Sequence, residues 1–169
     1  MYVSFSLRLK AFLIDYIFIF IYLTFIILLS IFPQVRELFI GSNMKAQLIG
    51  FLIVTLPVSL YFIIGDSVIG KQTFGKRRIG IQVVNQMGEG LSVIHSILRT
   101  SLKFLPWEMS HYLVYRLVDS GDRGVTIADY IVGSLIYILI FVYILTLFIT
   151  KKKRSLYDIL VGTYVIKKL

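Results

Sequence analysis

The chain has 169 residues, 57% of them apolar and only 16% charged, with a mean hydropathy of +0.84 and a net charge of +9. An ordinary soluble domain carries about 25% charged residues, so a soluble protein is excluded and an integral membrane protein is indicated. Cysteine is absent, which rules out a disulfide framework, a thiol nucleophile and a thiolate metal site, and the length accommodates one helical domain, residues 1–169, with no separate catalytic unit.

The first element is set by "SLRLKAFLIDYIFIFIYLTFIILLSIF", residues 6–32. Crossing a hydrocarbon layer about 30 Å thick takes roughly 20 residues of helix, and without water only a helix or a closed barrel satisfies its own backbone. The uncharged run after Asp15 predicts a helix over 8–32. It is too long for the apolar region of a secretory signal, about 7–15 residues, and no small-residue cleavage site follows, so it is expected to stay in the mature chain. Arg8 and Asp15 lie seven positions apart, on nearly the same helix face and about 10 Å apart along the axis, with the small Ala11 between them. An ionisable residue inside a membrane segment is a functional candidate by default. The alternative is that Arg8 and Asp15 pair, directly or through a bridge, and brace the bundle against its inner loops.

A second helix is predicted over 47–65, with Pro57 as a kink. The loop that follows, 66–90, contains "GKQTFGKRRIG" with Lys71, Lys76, Arg77 and Arg78. Gly70, Gly75 and Lys76 match part of a phosphate-binding P-loop, but Arg77 stands where Ser or Thr belongs and no strand precedes it. The glycines are read instead as turn formers, and the cations as partners of lipid headgroups or of Asp15 and Asp158. "GIQVVN", residues 80–85, is β-prone.

The third segment, 91–118, is long enough to cross but carries many charges. His95, Arg99 and Lys103 form a stripe at i, i+4 spacing, expected to snorkel to the inner headgroups. Glu108 and His111, at i, i+3, share a face near mid-depth. A Glu and His pair there can carry protons or hold a cation, because His titrates near neutrality and burial raises a Glu. Zinc chemistry is not indicated: the residues do not form HExxH, and His95 is far from the other two.

The fourth helix is predicted over 126–150, opened by "TIAD" with Thr126 and Asp129 in capping-box spacing. "SLYD" repeats that spacing with Ser155 and Asp158 and predicts a short helix in the 151–169 tail, stopped by Gly162. The β-prone end "VGTYVIKKL" is expected to pair with residues 80–85. Basic residues of short loops stay cytoplasmic. With four crossings and an inner N-terminus, Arg8, Lys10, four cations of the loop and six of the tail fall inside, against Arg36, Lys45, Arg116 and Arg123 outside. The expected fold is therefore an all-α integral membrane protein, a bundle of four transmembrane helices with a short C-terminal cytoplasmic helix, a small two-stranded cytoplasmic sheet and both termini inside. The positive charge reads as a topology signal with an attraction to anionic inner-leaflet lipids, not as nucleic-acid binding.

Four stretches, "RLKAFLID", "GKQTFGKRRIGIQVV", "ILRTSLK" and "RSLYDILVGTYVI", together resemble the RDD family of bacterial membrane proteins, named for one arginine and two aspartates. The resemblance implies a place in the bacterial plasma membrane. It puts the arginine on Arg8, the first aspartate on Asp15 and the second on Asp158, with Asp66 as the alternative. It also implies transport of cations or protons, with no settled ligand.

Two functions follow. One is a small cation- or proton-coupled, antiporter-like transporter acting through Asp15, Glu108 and His111, which requires a homo-oligomer because four helices hardly enclose a wide pathway. The other is a non-transporting scaffold, or a module that binds lipid or a partner. No nucleophile, metal set or oxyanion arrangement points to an enzyme, and no cofactor is expected.

Overall fold

In hydrocarbon a backbone has no partner but itself, so the apolar runs of this chain close into helices. The computed structural model describes residues 2–39, 42–121 and 124–168. Helix α1 is Phe5–Leu29, followed by the short α2, Pro33–Leu38, with its proline at the helix start where no N–H is needed. Helix α3, Asn43–Gly50, passes through a π-helical turn, Phe51–Thr55, into α4, Leu56–Asp66. Then come α5, Phe74–Ile79, and β1, Ile81–Val84. Helix α6 is Val93–Ser120, α7 is Ile127–Ile149, α8 is Leu156–Val161 and β2 is Tyr164–Lys167.

Three helical stretches are long and apolar enough to cross a membrane: α1, the rod Met44–Asp66 and α7. Helix α6 has 28 residues, about 42 Å at 1.5 Å per residue. Near its start Arg99 reaches Asp66 at the end of α4, and near its end Arg116 pairs with Asp129 at the start of α7. It therefore runs the length of the bundle between the rod and α7. The outside of the bundle is apolar, with side chains such as Phe20, Ile31, Tyr137 and Phe148 exposed, while the only buried residues of α1 are Ala11, Asp15 and Ile19 at four-residue spacing.

The expected strand pairing is present. β1 and β2 are antiparallel, with Ile81 opposite Lys167 and Val84 opposite Tyr164. The N-terminal residues add to the same sheet, where Val3 N donates to Val165 O at 3.1 Å and Tyr2 bridges to Ile166. Val3, Ala11, Ile81, Val83, Leu91 and Val165 pack beneath it. Both termini, the loop after α4 and the tail thus gather at one end of the bundle, called here the terminal end.

Both interior prolines are accommodated in one way. Pro57 has no N–H to return to the carbonyl four residues earlier, that of Ile53, and Pro106 has none for Leu102. In each case a tyrosine from a neighbouring helix takes the place of the missing donor. Tyr22 of α1 donates its hydroxyl to Ile53 O, and Tyr143 of α7 donates to Leu102 O at 2.5 Å. The kink expected at Pro57 takes the form of the π turn just ahead of it. Tyr22→Phe and Tyr143→Phe are each expected to leave a carbonyl unsatisfied and to cost about 1–3 kcal/mol, measured as a lower unfolding midpoint in detergent. Tyr137→Phe, at an exposed position, should leave the midpoint unchanged.

Candidate functional site

The ionisable residues of the terminal end form one continuous network. Asp66, the last residue of α4, is 1% exposed. Its Oδ1 pairs with Lys76 of α5, and its Oδ2 accepts from Arg99 of α6 at 2.9 Å. Arg99 Nε donates in turn to Asp158 Oδ1 of α8 at 2.9 Å. The other oxygen of Asp158 accepts from Arg8 of α1 at 2.5 Å, and Arg8 also donates to the Lys153 carbonyl at 2.6 Å. Lys76, Asp66, Arg99, Asp158 and Arg8 thus alternate in sign and tie together α1, α4, α5, α6 and α8. Thr163 Oγ1 completes Asp158 at 3.0 Å, and the Arg99 guanidinium lies 5.2 Å from the centre of the Tyr157 ring. Burial alone would raise the Asp158 carboxyl, but Arg99 and Arg8 outweigh it and hold it below the ordinary carboxylate range.

Asp15 stands beside this network in a different role. Its carboxylate accepts from Thr73 Oγ1 at 2.7 Å, Gly75 N at 2.6 Å and Tyr61 OH at 2.6 Å. Thr73 and Gly75 lie at the start of α5, so a side chain from α1 caps a helix in the loop. The approach is close. A Cβ on Gly75 would sit 2.0 Å from the Ala11 carbonyl oxygen, which only glycine avoids. Ala11 is thus the small residue that lets another backbone in.

Several expectations are corrected by this geometry. Arg8 does not pair with Asp15; its partner is Asp158, because α8 folds back over the start of α1. Lys76 is a buried partner of Asp66, whereas Lys71, Arg77 and Arg78 stay exposed, Arg78 lying 6.0 Å from the Phe74 ring centre. The stripe on α6 does not snorkel as a unit. Arg99 is 3% exposed and central to the network, Lys103 turns inward, and only His95 remains at the surface, beside Ser92.

Glu108 and His111 are brought near each other but not to the network. His111 Nδ1 lies 3.6 Å from Glu108 Oε1, beyond hydrogen-bond distance. Glu108 accepts from Thr55, the last residue of the π turn, and the Trp107 ring packs 4.6 Å from that of His111. Glu108 is nine residues beyond Arg99, about 13 Å along the helix.

The sequence reading missed Arg99 as the hub and treated Asp66 only as an alternative. Both carried a signal: Asp66 ends a long uncharged run, and Arg99 lies on a helix whose neighbours are apolar, so each needs an internal partner. Tyr61 and Thr73 carried none, since nothing local marks a hydroxyl that will meet Asp15.

The model of the RDD family matches residues 2–162, almost the whole chain. The chain belongs to the RDD family. No curated protein and no solved structure matches it. In this RDD chain the arginine Arg8 contacts Asp158 and not Asp15, while Asp66, the alternative position, occupies the other side of Arg99.

Asp158→Asn is expected to cost about 3–5 kcal/mol at neutral pH, the range for removing one member of a buried pair. Because the folded carboxyl lies below its ordinary value, its contribution is complete above about pH 3.9 and is lost as the pH falls through the lower folded value. The wild-type unfolding midpoint should therefore drop on acidification more steeply than that of Asp158→Asn. Gly75→Ala should undock α5 from α1 and abolish the monodisperse peak in detergent gel filtration, whereas Gly133→Ala in α7, where a Cβ meets only Leu113 Cδ2 at an ordinary 3.6 Å, should keep it.

Proposed function

We propose that this RDD protein is a non-transporting binding module of the bacterial plasma membrane, crossing it four times with both termini cytoplasmic, and that its terminal end is a rigid charged platform for a ligand or partner. One observation carries the reading: the three buried carboxylates there are all engaged. Asp66 and Asp158 are held by Lys76, Arg99 and Arg8, and Asp15 by two hydroxyls and a backbone N–H. A carboxylate that carries a cation must trade its protein donors for the ion in every cycle. At Asp66 or Asp158 that exchange strands a buried cation, which costs several kcal/mol. The distribution of basic residues supports the orientation; among them Arg123 lies outside the described residues. The fourth crossing is supported by α6 running alongside two apolar helices for its whole length.

A second reading, cation- or proton-coupled transport by a homo-oligomer, is favoured by one feature. Glu108 and His111 sit 3.6 Å apart beside the π turn, away from the paired network, and helical π turns recur at functional sites. Purified protein in sealed vesicles with an imposed pH or sodium gradient separates the two. No flux above that of empty vesicles is expected. Flux that disappears in Glu108→Gln would replace the proposal with the second reading.

A further inference from the structure

We infer that the cavity between α1, α5, α6 and the terminal sheet binds the phosphate group of an anionic membrane lipid, with Lys103 and Arg8 as its cationic contacts. The inference deepens the binding-module reading and rests on it. The cavity has a volume of about 200 Å³, many times the ~15 Å³ that admits one water. Arg8, Lys76, Arg99 and Lys103 line it, with Asp15 as the only acidic residue of the wall.

Most of these charges are already committed, and two groups are not. Arg8 Nε is buried without a hydrogen-bond partner, although the other nitrogens of that guanidinium bind Asp158 and the Lys153 carbonyl. Lys103 makes neither a hydrogen bond nor an ion pair among the described residues. Its ammonium rests on aromatic faces, 3.8 Å from the ring centre of Phe62, 5.2 Å from Phe104 and 5.4 Å from Phe12. Ring faces attract a cation but cannot accept the three N–H donors of an ammonium as oxygens do. An anion with several acceptor oxygens supplies what both groups lack.

Charge and shape narrow its class. Four cations, Arg8, Lys76, Arg99 and Lys103, face three carboxylates, Asp15, Asp66 and Asp158, so one positive charge is left over. One phosphodiester neutralises it, whereas a zwitterionic headgroup brings its own cation toward Lys103. Beside Arg8 and Asp15, α1 contributes an apolar wall formed by Phe5, Phe12 and Leu9, the last 41% exposed. That wall has no use for an inorganic ion but suits the acyl chain that leaves a lipid phosphate along a membrane helix. Anionic lipids of the inner leaflet are also those that a basic protein surface concentrates.

The test titrates the detergent-purified chain with dioleoyl phosphatidylglycerol, dioleoyl phosphatidylcholine and inorganic phosphate, with binding followed by native mass spectrometry and by thermal shift. Phosphatidylglycerol is expected to bind saturably and at least ten-fold more tightly than either other probe. Lys103→Met and Lys103→Gln should each weaken it at least ten-fold, while Lys103→Arg keeps it within about three-fold. Both charge-removing variants should still fold, since each removes an inward charge that has no ion-pair partner. Lys151→Gln, at an exposed position of the same end, controls for surface attraction and should change little. Equal losses in the Lys103 and Lys151 variants would overturn the site, as would equal binding of the two lipids. Inorganic phosphate binding as tightly as phosphatidylglycerol would overturn the lipid source. Vesicle flux with Lys103-dependent lipid binding intact would overturn the functional reading alone, and lipid binding indifferent to Lys103 without flux would overturn the site alone.

Discussion

Everything at the terminal end depends on Arg99 lying between Asp66 and Asp158. A guanidinium presents its N–H donors in a planar fork, so one side chain can address carboxylates on two elements at once. Lysine, a single point charge, could not span the same two contacts in this geometry. The elements that Arg99 joins have little stability of their own. Helices α5 and α8 have six residues each and the sheet has two named strands, lengths at which isolated helices and hairpins are marginal. Their persistence comes from being fastened to the long helices by buried charge.

Polar groups do in this protein what apolar packing does in a soluble one. Lipid tails are as apolar as leucine, so helices gain little by burying leucine against each other and associate through close packing and interhelical hydrogen bonds. The pattern recurs along the bundle: Asp15 caps α5 from α1, Ser96 of α6 donates to Ile63 O of α4 at 2.8 Å, and two tyrosines serve the carbonyls that prolines leave free. Each interhelical contact carries a direction and a register, which apolar contact alone would not fix.

Three of the long helices were legible because they follow from hydropathy, which left the charged α6 undecided, and the pairing of residues 80–85 with the tail followed from two β-prone stretches expected on the same side. The capping boxes fixed the starts of α7 and α8. Partner choice was not legible. Arg8 and Asp15 share a helix face, and helical spacing makes them look like a pair. The structure breaks that pairing because Asp158 approaches Arg8 from 150 residues away, and Thr73 and Gly75 fill the oxygens of Asp15 first. The α6 stripe failed for a related reason. Spacing shows that His95, Arg99 and Lys103 share a side, but not whether that side meets lipid headgroups or the carboxylates of other segments. Local sequence carries periodicity; it does not carry the identity of a distant counter-ion.

The order of the network along the chain bears on how the protein is made. Arg8, Asp66, Lys76 and Arg99 have all left the ribosome before Asp158 is synthesised. Until then Asp66 is the one network carboxylate available, serving Lys76 and Arg99, while Arg8 has none and Arg99 enters the nascent bundle half compensated. Asp158 is therefore the counter-charge that closes the network, although the segment that brings it is itself net positive, and a chain halted inside α7 leaves Arg8 without its carboxylate. Completion of the fold is thereby coupled to completion of translation, so a truncated product differs from the finished protein in charge as well as in length.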